Sequence, residues 1–119
     1  MNWANGPGGV HMDDINWDRD FALEQAGGDE DLLKELLTLF TGTLRTNRIK
    51  MEEALADCDF SQVARAAHSI KGSASSLGFA QIAEIANAVE GEARLDAAAG
   101  APEFLARLRR LEDALPDLA

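Results

Sequence analysis

Residues 59–78, DFSQVARAAHSIKGSASSLG, carry the clearest structural pattern in this 119-residue sequence. Apolar side chains recur there at alternating spacings of three and four residues, at Phe60, Val63, Ala67, Ile70, Ala74 and Leu77. That spacing places them on one face of an α-helix, as in the seam of a helical bundle. Asp59 is a typical helix N-cap, and Gly78 is a residue type that commonly ends helices. The segment therefore predicts a helix that buries one face in a bundle.

The sequence on either side of this segment predicts four further helices. We expect them at about 18–26, 30–56, 79–97 and 102–115, with Asp29 capping the long one and Pro116 ending the last. Residues 1–12, MNWANGPGGVHM, are expected to be a flexible leader or a remnant of cloning. Four long helices with short connections imply an all-α fold. The expected architecture is an antiparallel up-down-up-down four-helix bundle with a short additional N-terminal helix.

Charge and composition exclude several classes of function. The sequence contains 21 acidic and 11 basic residues, a formal charge of −10, so nucleic acids and anionic membrane surfaces would repel it. No run of 18 apolar residues could cross a bilayer, and the N-terminus does not resemble a signal peptide. Cys58 is the single cysteine, which excludes an intrachain disulfide. We therefore expect a cytoplasmic protein with no nucleic-acid partner and no direct membrane contact.

His68 is the candidate reactive residue. It directly follows the seam residue Ala67, so its side chain should point about 100° away from the core axis, toward solvent. Lys71 and Gly72, three and four residues later, project from the same side of the helix. A neutral imidazole is a nucleophile, and an ammonium group beside it would stabilise the oxygens of a phosphoryl group. A glycine at this place leaves room for the active site of another protein.

The stretch His68-Ser69-Ile70-Lys71-Gly72-Ser73, followed by Leu77-Gly78, resembles the motif of the histidine phosphotransfer (HPt) domain family. The resemblance covers roughly residues 18–115, and it assigns residues 13–119 to one histidine phosphotransfer domain. It implies that His68 is the phosphoacceptor, that Lys71 stabilises the phosphoryl group and that Gly72 gives access to it. Glu90 falls where the family often places a glutamate or glutamine near the imidazole. There it could hold one ring nitrogen and leave the other free.

The same resemblance implies a phosphorelay intermediate of a two-component system. His68 would accept a phosphoryl group from a receiver-domain aspartate, or from a sensor histidine kinase, and pass it to a response-regulator aspartate. The sequence contains no GxGxxG or GxxxxGK[ST] loop, so we expect no ATP binding and no autonomous kinase activity. The histidines and Cys58 lack the spacing of a metal site. No cofactor is expected on this chain, and Mg²⁺ should come with the partner receiver domain.

Other interpretations remain open from the sequence. A helical histidine is more often an ordinary surface or core residue than a reactive one. Lys71 could be a solvated charge, Gly72 could serve tight helix packing, and Glu90 could be a plain surface acid. The chain could be a non-phosphorylated four-helix interaction adaptor, or the phosphotransfer domain of a chemotaxis-type kinase. The sequence does not decide between a free protein and a part of a larger sensor kinase.

Overall fold

The computed structural model describes residues 17–118, with side chains as far as Leu115. These residues form five α-helices and no strand: α1 (Arg19–Gln25), α2 (Glu30–Ala56), α3 (Phe60–Ser76), α4 (Ala80–Arg94) and α5 (Ala101–Leu118). The all-α prediction is therefore confirmed. The predicted leader, residues 1–12, lies outside the described residues.

The first three helices begin where aspartate side chains can cap them. The Asp29 carboxylate accepts hydrogen bonds from the backbone N–H groups of Asp31 and Leu32, at 2.9 and 3.2 Å. Asp18 caps α1 and Asp59 caps α3 in the same manner. Each cap satisfies donors that the first helical turn would otherwise leave unpaired. The start of the long helix and that of the histidine-bearing helix are thus set by local sequence.

Two helix ends differ from the sequence prediction. α4 ends at Arg94 and not at residue 97, because Asp96 takes a left-handed backbone conformation with φ of 59°. α5 does not end at Pro116 but continues to Leu118. A proline removes one backbone hydrogen bond, yet its fixed φ of about −65° is itself helical, so a last turn can pass through it. The prediction that Pro116 terminates the helix was wrong.

The four long helices form a closed bundle. Each packs against the next along the chain, and α5 packs back against α2. The seam predicted for α3 is buried except at Phe60, which is half-buried, and Val63, Ala67 and Ala74 have no exposed surface. No helix in the described part of the chain has an apolar stretch long enough to cross a bilayer. The core consists of one apolar cluster contributed by all five helices.

α1 is fixed to the end of the bundle by contacts with the turn that follows α3. The indole Nε1 of Trp17 donates a hydrogen bond to the Leu77 carbonyl at 2.8 Å, and the Asp18 N–H donates to the Gly78 carbonyl at 3.0 Å. Gly78 has φ of 83°, and a Cβ there would lie 2.6 Å from the Asp18 carbonyl oxygen. Phe79 stacks on Trp17 with a ring separation of 5.5 Å. The contacts hold α1 close to the C-terminal end of α3.

Candidate functional site

His68 lies on α3 at the edge of the buried face. Its neighbour Ala67 is fully buried, whereas the His68 side chain is 64% exposed. This arrangement agrees with the predicted rotation of about 100° between successive helical residues. The imidazole stands between α3 and α4, where a partner could reach it from solvent.

The Nδ1 atom of His68 contacts the Glu90 carboxylate on α4. The distances from Nδ1 are 3.1 Å to Oε2 and 3.3 Å to Oε1 of Glu90. The Glu90 side chain is only 8% exposed, so the interpretation of Glu90 as a plain surface acid is wrong. An ionised carboxylate can only accept hydrogen bonds, so Nδ1 must be the donor. In a neutral ring, this leaves the lone pair on Nε2.

Two cationic side chains and the imidazole of His68 surround the Glu90 carboxylate. Lys71 Nζ lies 3.1 Å from Oε1, and Arg94 Nη2 lies 2.6 Å from Oε2, in addition to the contact with His68. The hydrogen bonds from Arg94 are the largest effect on the pKa of Glu90, and they lower it. Burial acts in the opposite direction, but Lys71 and His68 lower the pKa further, to about 2. Glu90 is therefore ionised throughout the neutral pH range.

Lys71 is engaged beside the imidazole and is not a free solvated charge. Its ammonium group bridges Glu90 and the Oδ1 atom of Asn87, which accepts a hydrogen bond at 3.2 Å. The Lys71 side chain is 32% exposed. The carboxylate that binds Nδ1 of His68 thus also holds Lys71 close to it. A positive charge is thus in place on the carboxylate that contacts the imidazole.

Gly72 lies one turn after His68 and is exposed. A Cβ built at this position would have no atom of another element within 4 Å. The alternative that Gly72 exists for tight helix packing is therefore wrong. The glycine leaves the surface one helical turn from the imidazole without a side chain.

A shallow depression continues from Lys71 toward α1. Its volume is about 460 Å³, and its lining includes Phe21, Lys71, Ser75, Ala80, Ala83 and Asn87. Phe21 of α1 is 38% exposed, so its aromatic ring faces solvent in a depression that Asp18 and Glu84 also line. The anchored position of α1 thus adds an apolar edge next to the polar cluster around His68.

Sequence reasoning missed Arg94 and Asn87. Arg94 follows Glu90 by four residues on the same helix, the spacing at which opposite charges form ion pairs. Asn87 precedes Glu90 by three residues and so lies one turn earlier. With Glu90 placed beside the imidazole, the helical spacing alone would have predicted that Arg94 and Asn87 lie next to it.

Comparison with known proteins gives a family match and a fold match for the chain. The Hpt domain family matches residues 35–119. The chain is also similar to a solved structure, the crystal structure of the HPT domain from the Hpt sensor hybrid histidine kinase from Shewanella. The TM-score is 0.74 at 19% sequence identity, and the match covers 88% of this chain and 94% of that chain. At this identity the likeness concerns the fold. Comparison with curated proteins gave no match.

The family match begins within α2 and includes the whole of α3, α4 and α5. It therefore contains both helices that form the site, the one with His68 and the one with Glu90. The match extends over well more than half of the chain, and the bundle has the fold of a solved member. The chain belongs to the Hpt domain family, whose members are phosphocarrier modules of two-component signalling and not kinases.

Proposed function

We propose that this chain is a phosphorelay intermediate in which Nε2 of His68 carries the phosphoryl group. The donor is an aspartyl phosphate of a receiver domain, or a histidine kinase, and the acceptor is the aspartate of a response regulator. One observation carries the proposal. The imidazole of His68 is exposed, and its other nitrogen, Nδ1, lies 3.1 Å from a buried, ionised carboxylate.

The transfer balances without the loss of a proton. The Nε2 lone pair attacks the phosphorus, the Nε2–P bond forms, and the bond between phosphorus and the aspartyl oxygen breaks. The aspartate leaves as a carboxylate, while the ring keeps its proton on Nδ1 and becomes positively charged. Glu90 stabilises that charge because its carboxylate is already aimed at Nδ1. The reverse reaction uses the same groups, so one site supports both receipt and delivery.

Lys71 supports this chemistry from the side of the phosphoryl group. Its ammonium is held by Glu90 and Asn87 within the same cluster as the imidazole. A short rotation of the lysine side chain exchanges these partners for phosphoryl oxygens. Charge-assisted hydrogen bonds of this kind are stronger than neutral ones. In this proposal Lys71 stabilises the negative charge of the transferring group.

The partner supplies the remaining groups. A receiver domain brings the reacting aspartate and Mg²⁺, and it docks over the surface at Gly72 and the depression that Phe21 borders. The exposed phenyl ring and the small side chains around it suit an apolar contact with such a partner. This chain contributes the nucleophile, the charge beside it and an open approach.

Phosphotransfer from receiver domains charged with radiolabelled acetyl phosphate and Mg²⁺ tests the proposal. We expect the chain to become labelled, and we expect the label to be lost in acid and retained in base, as for a phosphorus–nitrogen bond. His68→Gln should retain the helical circular dichroism spectrum, because the side chain is largely exposed, but should not be labelled. Equal labelling of this variant, or an acid-stable product, would contradict the site. A chain that no donor labels would point to an interaction adaptor.

A further inference from the structure

We propose that Arg94 is a positioning residue for the phosphoacceptor, acting through Glu90. The inference rests on the proposed function and extends it. Arg94 keeps the Glu90 carboxylate charged and turned toward Nδ1 of His68, and it does so after Lys71 has left the carboxylate for the phosphoryl group.

The two oxygens of the Glu90 carboxylate bind different cations. Oε1 of Glu90 lies 3.1 Å from Lys71 Nζ. Oε2 receives two hydrogen bonds from Arg94, at 2.6 Å from Nη2 and 3.2 Å from Nε. Nδ1 of His68 contacts both oxygens. Lys71 and Arg94 therefore hold different oxygens, and either one can leave without displacing the other.

The transfer reaction removes one of these cations. When Lys71 turns to the phosphoryl oxygens, Oε1 loses its cation while the imidazole ring is still neutral. A buried carboxylate without a cation would take up a proton or rotate away. Arg94 lies on α4, four residues after Glu90, so its ion pair with Oε2 does not depend on α3 or on the approaching partner. It is the cation that can remain throughout the transfer.

The charge state of Glu90 then decides which ring nitrogen is available. The titratable and charged groups that contact Glu90 are His68 and Lys71 from α3 and Arg94 from α4. Arg94 has the largest effect on the pKa of Glu90, and burial opposes it. Loss of the arginine should therefore raise this pKa and loosen the carboxylate. A loosened or protonated Glu90 no longer requires a proton on Nδ1, so a share of the neutral rings would carry it on Nε2, which is then blocked as a nucleophile.

Arg65 provides a matched control for the effect of removing a positive charge near the imidazole. It lies on α3, one turn before His68, and lines the same groove between α3 and α4 as Arg94. It is exposed, and no contact joins it to Glu90 among the residues that the structure describes. Arg65→Met and Arg94→Met remove the same charge from the neighbourhood of the imidazole. If the arginines act only by attracting an anionic donor, both variants should lose the same fraction of the phosphorylation rate. If Arg94 acts by positioning Glu90, only Arg94→Met should be slower.

Three measurements on the wild type, Arg94→Met, Arg94→Lys and Arg65→Met test the inference. Long-range ¹H–¹⁵N NMR spectra give the tautomer of the neutral His68 ring, and ¹³C NMR follows the titration of the Glu90 carboxyl. The rate of phosphorylation by phosphoramidate, a donor too small to need a docking surface, gives the kinetic effect. We expect Arg94→Met to raise the population of the Nε2–H tautomer of His68 and the pKa of Glu90. Its phosphorylation should slow by about two- to fivefold, the range of an ion pair with one exposed partner.

Arg94→Lys should recover most of the wild-type tautomer, and Arg65→Met should match the wild type in all three measurements. An unchanged tautomer together with an unchanged Glu90 titration in Arg94→Met would overturn the inference. Equal slowing in Arg65→Met would overturn it as well. The two NMR measurements do not require phosphorylation. They test the role of Arg94 even if the wild type is never phosphorylated. That outcome would contradict the proposed function but not the role of Arg94.

Discussion

Replacement of Gly72 with glutamine should separate the stability of the bundle from its phosphotransfer. Because a Cβ at this exposed position has no atom of another element within 4 Å, the new side chain should fit without displacing its neighbours. Glutamine favours helix over glycine by about 0.5 kcal/mol. In a domain of this size that gain corresponds to a rise in melting temperature of about 2–4 °C. The variant should therefore be as stable as the wild type or more so.

The same side chain should obstruct transfer from a protein donor. It would stand one helical turn from the imidazole of His68, in the path of a receiver that must bring its aspartate to bonding distance. Overpacking of a close contact costs about 1–3 kcal/mol, which corresponds to a loss of about 5- to 150-fold in rate. Phosphoramidate is small enough to pass the side chain, so its reaction with His68 should change little.

Thermal unfolding by circular dichroism and transfer kinetics from a charged receiver measure the two effects. Gly42 of α2 offers a matched control, since it is exposed and a Cβ there also meets nothing within 4 Å. Gly42→Gln should show a similar gain in melting temperature with normal transfer. A Gly72→Gln variant that melts lower but transfers normally would refute the argument, because the glycine would then serve packing and not access.

Three further substitutions test other parts of the account. Lys71→Ala should slow transfer by about 10- to 100-fold, the effect of losing a charge-assisted hydrogen bond to phosphate, and unchanged rapid-quench kinetics would exclude that contact. Glu90 has a pKa lowered from 4.5 to about 2, so its contribution to stability is full above pH 4.5 and is lost as the pH falls toward 2. Glu90→Gln should therefore flatten the pH dependence of the free energy of unfolding in this window, and equal slopes would contradict the ion cluster. Gly78→Ala should destabilise the bundle by about 1–3 kcal/mol in urea unfolding, because the positive φ and the Asp18 carbonyl leave no place for a Cβ; an unchanged midpoint would show that the turn adapts.

The helices and the exposure of His68 were predictable because both depend on local sequence. The alternating spacing from Phe60 to Leu77 defined the buried face of α3, and the position of His68 one residue after Ala67 placed it at the edge. Asp29 and Asp59 marked the starts of α2 and α3 by a side-chain hydrogen bond to nearby backbone. The prediction for Pro116 was wrong because a proline near the end of a helix, although it removes one hydrogen bond and crowds one carbonyl, keeps a helical φ, and the last turn continues through it.

The charge cluster could be predicted only in part. The burial of Glu90 and its contact with Lys71 depend on the register between α3 and α4, which neither helix contains in its own sequence. The same holds for the buried Glu112 of α5, which Arg48 reaches from α2 across 64 residues of chain. Contacts between distant segments follow from how whole helices pack, so one sequence read by periodicity does not provide them.

The position of the phosphorus on the imidazole ring tests directly whether Nε2 of His68 carries the phosphoryl group. The chain, labelled with ¹⁵N at its histidines and phosphorylated by a charged receiver, can be examined by ¹H–¹⁵N and ³¹P NMR at a pH where the phosphoryl–nitrogen bond is stable. We expect phosphorus to couple to Nε2 of His68 while Nδ1 keeps its proton and its hydrogen bond to Glu90. Phosphorus on Nδ1, or on any other residue, would contradict it.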